Sequence, residues 1–331
     1  MITLNANVWL GTLTNLVAYA QVLDTIKSGS VSRLIASAED ISTPYGDGKV
    51  VRSANIPDVE DLDTANSSLL KYTAPDVREQ YFPVSEYKVI PLSINHYLIR
   101  GAFTNEETTA EFIGYLLASM KASRDVFLYQ SILKQYGTYV PAQATQKVEI
   151  ELVNISSITS GDADKQMART ANANTIAKTL IKVLRNMEAP SSKYNDDSLL
   201  EIINGEDLKL ILNSDFDVDL IVDTFSTLFA AGRITEEERW SETIAIPAEQ
   251  FDNLSIDSEN LIGWLGHRKK VQFGYFYEVS TSFFDASNLT QQYWLHFSVY
   301  FALVKSLPCV KFTAKYVNAP VPQIQTTAAG A

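Results

Sequence analysis

Apolar and polar residues along this 331-residue chain keep different rhythms in different stretches. The longest helical rhythm follows Thr104. With Thr104 as N-cap and Glu107 three positions on, the sequence carries a capping box, in which each side chain satisfies a free backbone N–H at the helix start. Residues 105–136 then run without proline. Ile113, Leu116, Leu117 and Met120 share one face, and Phe127, Leu128 and Ile132 resume the stripe. Gly137 stands where a C-cap belongs. The spacing predicts one helix about 48 Å long. A second helix is predicted over about 169–188. There Ala173, Ile176, Ala177, Leu180, Ile181, Leu184 and Met187 recur at threes and fours, and Lys178, Lys182 and Arg185 take the other face.

Elsewhere the period is two. In "SEYKVIPLSINHYLIR" (85–100) Ile90, Leu92 and Ile94 share one parity, which predicts a strand, and Pro91 places it at a sheet edge. Residues 138–168 read as strand and polar loop. The last third alternates aromatic and β-branched residues with polar ones, as a sheet does. Residues 42–86 keep neither rhythm. They hold Pro44, Pro57, Pro75 and Pro83, the turn "YGDGK" and the acidic "DVEDLD", and read as a long loop or extended hairpin. Before them, "SVSRLIASAEDIS" reads as a helix. After the sheet, "NAPVPQIQTTAAGA" is a small-residue tail.

The stretch "LNSDFDVDLIVDTF" (212–225) poses the sharpest chemical question, since Asp215, Asp217, Asp219 and Asp223 could be metal ligands. A helix–loop–helix calcium site needs Gly at position six and Glu at twelve. Counted from Asp215 those positions are Leu220 and Ser226. Val218, Ile221, Val222, Phe225, Leu228 and Phe229 have helical spacing instead. "DLKLILN" therefore reads as a strand, Asn213 or Ser214 as a cap, and the next segment as a helix to about Ala231, stopped by Gly232. Asp215 and Asp217 fall in its first turn, where the helix dipole favours acids.

Charge and composition narrow the function. The chain has 27 basic and 39 acidic residues, a net charge of -12, so a firm grip on nucleic acid is not expected. No run is apolar enough for a membrane span. The N-terminal segment has no basic residue before Lys27, unlike a secretory signal. The single cysteine, Cys309, cannot form an internal disulfide and reads as a small core hydrophobe. His96, His267 and His296 stand in no two-histidine metal motif. No nucleophile elbow, P-loop or dinucleotide fingerprint is present. "GHRKK" (266–270), the densest basic cluster, could touch phosphate but reads as a solvated turn or strand end. No cofactor is expected.

The order of elements carries a resemblance. An arm, a proline-punctuated extension, one long capped helix and a strand-rich C-terminal half follow one another. The close "GHRKKVQF", "FFDASN", "YWLHFSVYFALV" and "LPCVKF", and the strand-to-helix step "LKLILNSDFDVDLIVDTF", resemble the major capsid proteins of tailed bacteriophages, which have the Hong Kong 97-like fold. The resemblance implies an α+β subunit without an active site. It implies an N-terminal arm (1–41), an extension loop (42–98) and a peripheral domain (99–189 and 286–318) with its spine helix at 105–136. An axial domain (190–285) and a flexible tail (319–331) complete the subunit. Such a subunit self-assembles as hexamers and pentamers into an icosahedral head in the host cytoplasm. The head encloses double-stranded DNA that it touches only loosely. Portal, scaffolding or head decoration proteins are the other implied partners, and no membrane is involved.

Chain entropy adds a physical reason. A 45-residue excursion without its own core needs a neighbour to bury it. Tyr72, Tyr81 and Phe82, with Tyr87, are the side chains expected at that assembly interface. Two other readings stay open: an encapsulin-like compartment enclosing an enzyme, and a motif-poor metal-dependent hydrolase using Asp215, Asp217 and Asp223.

Overall fold

The structure is a computed structural model. It describes residues 30–40, 48–57, 59, 74–84, 86–95, 106–159, 161–219, 242–254, 256 and 260–318. The chain divides into two compact units. Unit 1 is drawn from 1–50, 81–136 and 271–303, and unit 2 from 51–80, 137–270 and 304–331.

In unit 1, helix α1 (Ser30–Ala38) buries Leu34 and Ala38 completely or nearly so. Strands β1 (Gly48–Ala54) and β2 (Val77–Pro83), in which the unit boundaries fall after residues 50 and 80, pair as a two-stranded sheet, the hairpin expected of the proline-rich excursion. Strand β3 (Glu86–Asn95) follows, and then helix α2 (Glu106–Thr138), continuous for 33 residues. Gly137 lies inside the last turn of α2, so the helix outruns its expected stop. Leu128, Ile132, Leu133 and Tyr136 form its buried stripe. Strands β8 (Val271–Asp285) and β9 (Thr290–Leu303) complete an antiparallel sheet in the order β3-β9-β8. Pro91 sits on the edge strand β3, where its missing N–H breaks no ladder bond. One face of the sheet packs on α2: the Phe127 ring meets Phe297 edge-on at 5.9 Å, and Lys88 lies over the same ring.

Unit 2 is a sheet covered by a helix. Its strands are β4 (Lys147–Val153), β5 (Leu208–Asn213), β6 (Glu242–Ile246), β7 (Leu261–His267) and β10 (Cys309–Val317). They lie in the order β4-β10-β7-β5-β6. β10 runs parallel to β4 and antiparallel to β7, and β5 runs parallel to β6. Helix α3 (Asp162–Glu188) lays Ile176, Leu180, Leu184 and Met187 on Ile150, Leu152, Leu210, Ile262 and Phe312. Burying each such side chain stabilises by about 1.5–3 kcal/mol.

Helix α3 starts at Asp162, earlier than the expected 169. Its first turns, "DADKQMA", lack an apolar period. They are held instead by the first-turn acids Asp162 and Asp164, which complement the helix dipole. Helix α4 (Ser214–Asp219) follows β5 as expected, and its expected continuation to Ala231 lies outside the described residues. A short helix α5 (Ala248–Asp252) follows β6, and its Phe251 packs on Trp264.

Two positions in the unit 2 sheet demand glycine. A Cβ at Gly263 would stand 2.1 Å from the Ile211 carbonyl oxygen, and φ there is +157°. At Gly266 a Cβ would press to 3.0 Å from the Cys309 thiol. The two glycines let β5, β7 and β10 approach closely around a dry core.

Candidate functional site

Among the described residues, the second face of the unit 1 sheet carries a run of exposed apolar side chains. Cross-strand pairing puts Tyr87, Val89, Pro91 and Ser93 of β3 on one face with Ser298, His296, Trp294 and Gln292 of β9. Across β9, Tyr277, Val279, Thr281 and Phe283 of β8 complete the rows. No Asp, Glu, Lys or Arg interrupts these twelve positions. Tyr87 is 73% exposed and Phe283 60%, and Val89, Tyr277 and Val279 are exposed with them. At the spacings of a sheet this backbone patch measures roughly 10 Å by 20 Å. An apolar area of this kind marks a surface that meets another surface. Near the hairpin tip Leu289 is exposed as well, while Phe284, also exposed, pairs with Gln291 in the alternate rows, on the α2 side of the sheet. The opposite face is where α2 packs, so the two sheet faces are built for different work.

The residues expected at an assembly interface are distributed unevenly. Tyr81 is 54% exposed on β2. Phe82, one position on, points the other way and is held within its own subunit at 9% exposure. Tyr72 lies outside the described residues. The described ends of the excursion are tied down inside unit 2. Asn55 Oδ1 accepts from the Leu200 N–H at 2.8 Å, and Gln80 Oε1 accepts from the Lys305 N–H at 3.0 Å. Arg52 and Glu79 pair across the two strands.

The acidic stretch is a helix start. Asn213 Oδ1 accepts from the Asp215 N–H at 3.2 Å, the capping role expected of it, and Asp215 is exposed. The side chain of Asp217, and all of Asp223, lie outside the described residues. Among the described residues no three His, Cys, Asp or Glu side chains gather as a metal site. His267 has its imidazole pKa lowered, first by burial, and its Nδ1 accepts from the Lys269 N–H. Burial pushes the Cys309 thiol up to about 12, so it is inert at neutral pH.

Sequence reading missed a buried polar network in unit 2. Lys270, fully buried, donates to Asp196 Oδ2 at 2.9 Å and to the Leu307 carbonyl at 2.8 Å. Asp196 Oδ1 accepts from Tyr139 at 3.0 Å and from Gln146 at 2.9 Å. Lys270 also lies 4.9 Å from the centre of the Tyr139 ring. Every member has partners, so the network locks the 189–207 loop to the sheet. Nearby, Glu201 is pushed up to about 7 by burial, and its Oε2 is buried with no hydrogen-bond partner among the described residues. Among the described residues the network contains no exposed nucleophile. It is a structural clasp, and the charge-free sheet face remains the functional candidate.

Known proteins give this arrangement its context. The sequence model of the Phi29-like phage major capsid protein family matches residues 39–313. No curated protein matches the chain. Among solved structures, the capsid of Staphylococcus phage Andhra is similar with a TM-score of 0.63 at 10% identity, over 84% of this chain and 83% of that one. The capsid of Cyanophage Pam1 is similar with a TM-score of 0.54 at 11% identity, over 85% and 92%. That of Cyanophage P-SCSP1u has a TM-score of 0.53 at 10% identity, over 85% and 86%. At such identities these structures speak for the mixed helix-and-sheet fold, while the family match covers most of the sequence itself. No described helix is long and apolar enough to cross a membrane. The chain belongs to the Phi29-like phage major capsid protein family and is a major capsid protein of a bacteriophage head.

Proposed function

We propose that this subunit closes an icosahedral shell of hexamers and pentamers by burying its charge-free sheet face on neighbouring copies. The carrying observation is that face, which exposes Tyr87, Val89, Tyr277, Val279 and Phe283 without a charge among them. Each contact is small, but a closed shell makes many at once, so weak contacts suffice.

The Hong Kong 97-like layout accommodates it: arm 1–41, extension loop 42–98, peripheral domain with α2 as spine, axial domain 190–285, tail 319–331. The pairing of β8 with β9 supports moving the axial boundary back to 270, so that the whole hairpin joins the peripheral domain. The extension loop is ordered by a neighbour over the stretch beyond its tied ends, with Tyr72 and Tyr81 as contacts. Phe82 serves by fixing β2 within its own subunit. The net charge of -12 suits a wall that holds DNA without gripping it. Portal, scaffolding and decoration proteins complete the head.

The test is negative-stain microscopy of purified protein beside the Val279→Ser/Phe283→Ser variant. Shells from the parent and dispersed, folded subunits from the variant are the expected pair of results. Shells from both would remove the face from the interface. Deleting residues 60–80 should likewise leave a folded subunit that makes no shells. In shells the loop should resist protease, and in free subunits it should be cut first. Equal cleavage in both states would defeat the neighbour-ordered loop.

A further inference from the structure

The buried network of unit 2 holds more than a clasp requires. Asp196 presents its two oxygens to different partners. Oδ1 accepts from the Tyr139 hydroxyl at 3.0 Å, from Gln146 Nε2 at 2.9 Å and from the Ala142 N–H at 3.4 Å. Oδ2 faces Lys270 Nζ at 2.9 Å. The Gln146 amide is fixed in this sense, because its Oε1 accepts from the Gln143 N–H at 2.8 Å. Burial first, then Cys309 and Asp196, raise the Tyr139 pKa above its ordinary value, so its hydroxyl stays a donor. Donors gathered on one oxygen of a carboxyl group cradle negative charge that grows there.

An amine stands on the other side. The Lys270 side chain is wholly buried and that of Asp196 is 8% exposed, and Nζ touches the carboxylate without further motion. The Leu307 carbonyl, 2.8 Å from Nζ, aims the amine. An arginine with its rigid fork would suit a buried ion pair better, but only a lysine is also a nucleophile. Glu201 counts Lys270 among the charges it feels, and burial raises its pKa to about 7. Its buried Oε2 has no hydrogen-bond partner among the described residues. A carboxyl group near 7 takes up and releases protons at neutral pH.

We propose that Lys270 and Asp196 condense into an isopeptide bond within the subunit, with Tyr139 and Gln146 holding Oδ1 and Glu201 relaying the proton. One proton first passes from Nζ to Oδ2, which turns the ion pair into amine and acid and relieves the cost of buried charge. The Nζ lone pair then bonds to Cγ, and Oδ1 takes the negative charge. A second nitrogen proton reaches Oδ2 by way of Glu201, the Cγ–Oδ2 bond breaks, and water leaves. Ammonium and carboxylate thus become one neutral amide and one water, with no oxidant or co-reactant. The bond staples the 189–207 loop to the residue that follows the β7 turn, 74 positions on from Asp196. It forms inside a single folded chain and does not depend on the shell reading.

The test is intact mass spectrometry of full-length, unassembled protein. The chain should be lighter than its sequence by one water, and protease digestion should release one branched peptide joining Asp196 to Lys270. Lys270→Arg keeps the charge and should show the full sequence mass. The full sequence mass in the folded parent would overturn the proposal, as would Asp196 and Lys270 on separate peptides or a link between two chains. These readings on the parent need no variant to fold. Glu201→Gln should lower the linked fraction several-fold, and a fraction equal to the parent's would overturn the relay.

Discussion

The two sheets of this subunit solve opposite problems. In unit 2 every side chain of β5 is buried, on both faces, and α3 covers one side of the sheet with aliphatic residues. In unit 1 α2 covers part of one sheet face, the other keeps Tyr87, Val89, Tyr277, Val279 and Phe283 exposed, and residues 277–284 of β8 are exposed on both faces. A sheet closed on itself spends its apolar surface on its own stability. A sheet left half bare keeps that surface for contacts made later. Mutations in unit 2 should therefore register as folding defects, and mutations on the bare face of unit 1 as assembly defects.

Glycine to alanine gives the sharpest contrast. Gly263→Ala drives a Cβ into the Ile211 carbonyl of the unit 2 sheet, and a loss of about 4 kcal/mol or more is expected in urea unfolding. Gly114→Ala, on α2 of unit 1, meets open space and should stabilise by roughly 0.5–1 kcal/mol, as alanine does in a helix. Similar losses at both glycines would erase the distinction between the units.

Next comes the clasp. Asp196→Ala leaves Lys270 buried without its carboxylate, and a cost of about 3–5 kcal/mol is expected, measured by thermal unfolding. A change under about 1 kcal/mol would show that water reaches Lys270 and that the interior of unit 2 is less dry than its packing implies.

Glu201 tests the same interior by pH. Burial raises its pKa from the ordinary 4.5 to about 7. A carboxyl raised in the folded state contributes stability that is complete below the unfolded value and is lost as pH rises through the folded one. Parent stability should thus decline between pH 4.5 and 7 through this group. Glu201→Gln should match the parent in acid and exceed it above pH 7. A gap between the two proteins that stays constant with pH would mean that Glu201 does not titrate in this range.

The smallest effect on stability is expected on the bare face. Val279→Ser/Phe283→Ser should move the unfolding midpoint of the free subunit by no more than about 0.5 kcal/mol per site, as exposed substitutions do. A loss several times larger would mean that the face is part of the subunit's own core.

The sequence made some of this division readable and hid the rest, for physical reasons. α2 was legible because its run has no proline and keeps an apolar stripe, while the expected capping box at Thr104 and Glu107 lies outside the described residues and side chains; β3 was legible because Pro91 marks an edge. The early start of α3 was not, because Asp162, Asp164 and Lys165 hold a helix through charge placement and not through apolar period. Lys209 sits in a fully buried strand, its ammonium pushed down to about 8 by burial, where a residue scale would place it in water. The clasp joins Tyr139, Gln146, Asp196 and Lys270, residues far apart in the chain, and spacing carries no trace of such a meeting. Alternation located β8 and β9 as strands. Which face of them stays bare is decided by what α2 covers, and a single strand's pattern does not contain that information.

One topological detail reaches into how the protein is made. β10 lies between β4 and β7, yet it follows every other strand in the chain. Its parallel partner β4 is synthesised long before it, with the β8–β9 hairpin made in between. On a ribosome, β4 and β7 must wait as unzipped borders until β10 emerges. The unit 1 sheet has no such delay between β8 and β9, which are joined by a short turn. The bare face can thus form while the unit 2 sheet is still open, and the last strand acts as a timer. A growing chain presents its sticky surface early, and it becomes a sound building block only when β10 slots home.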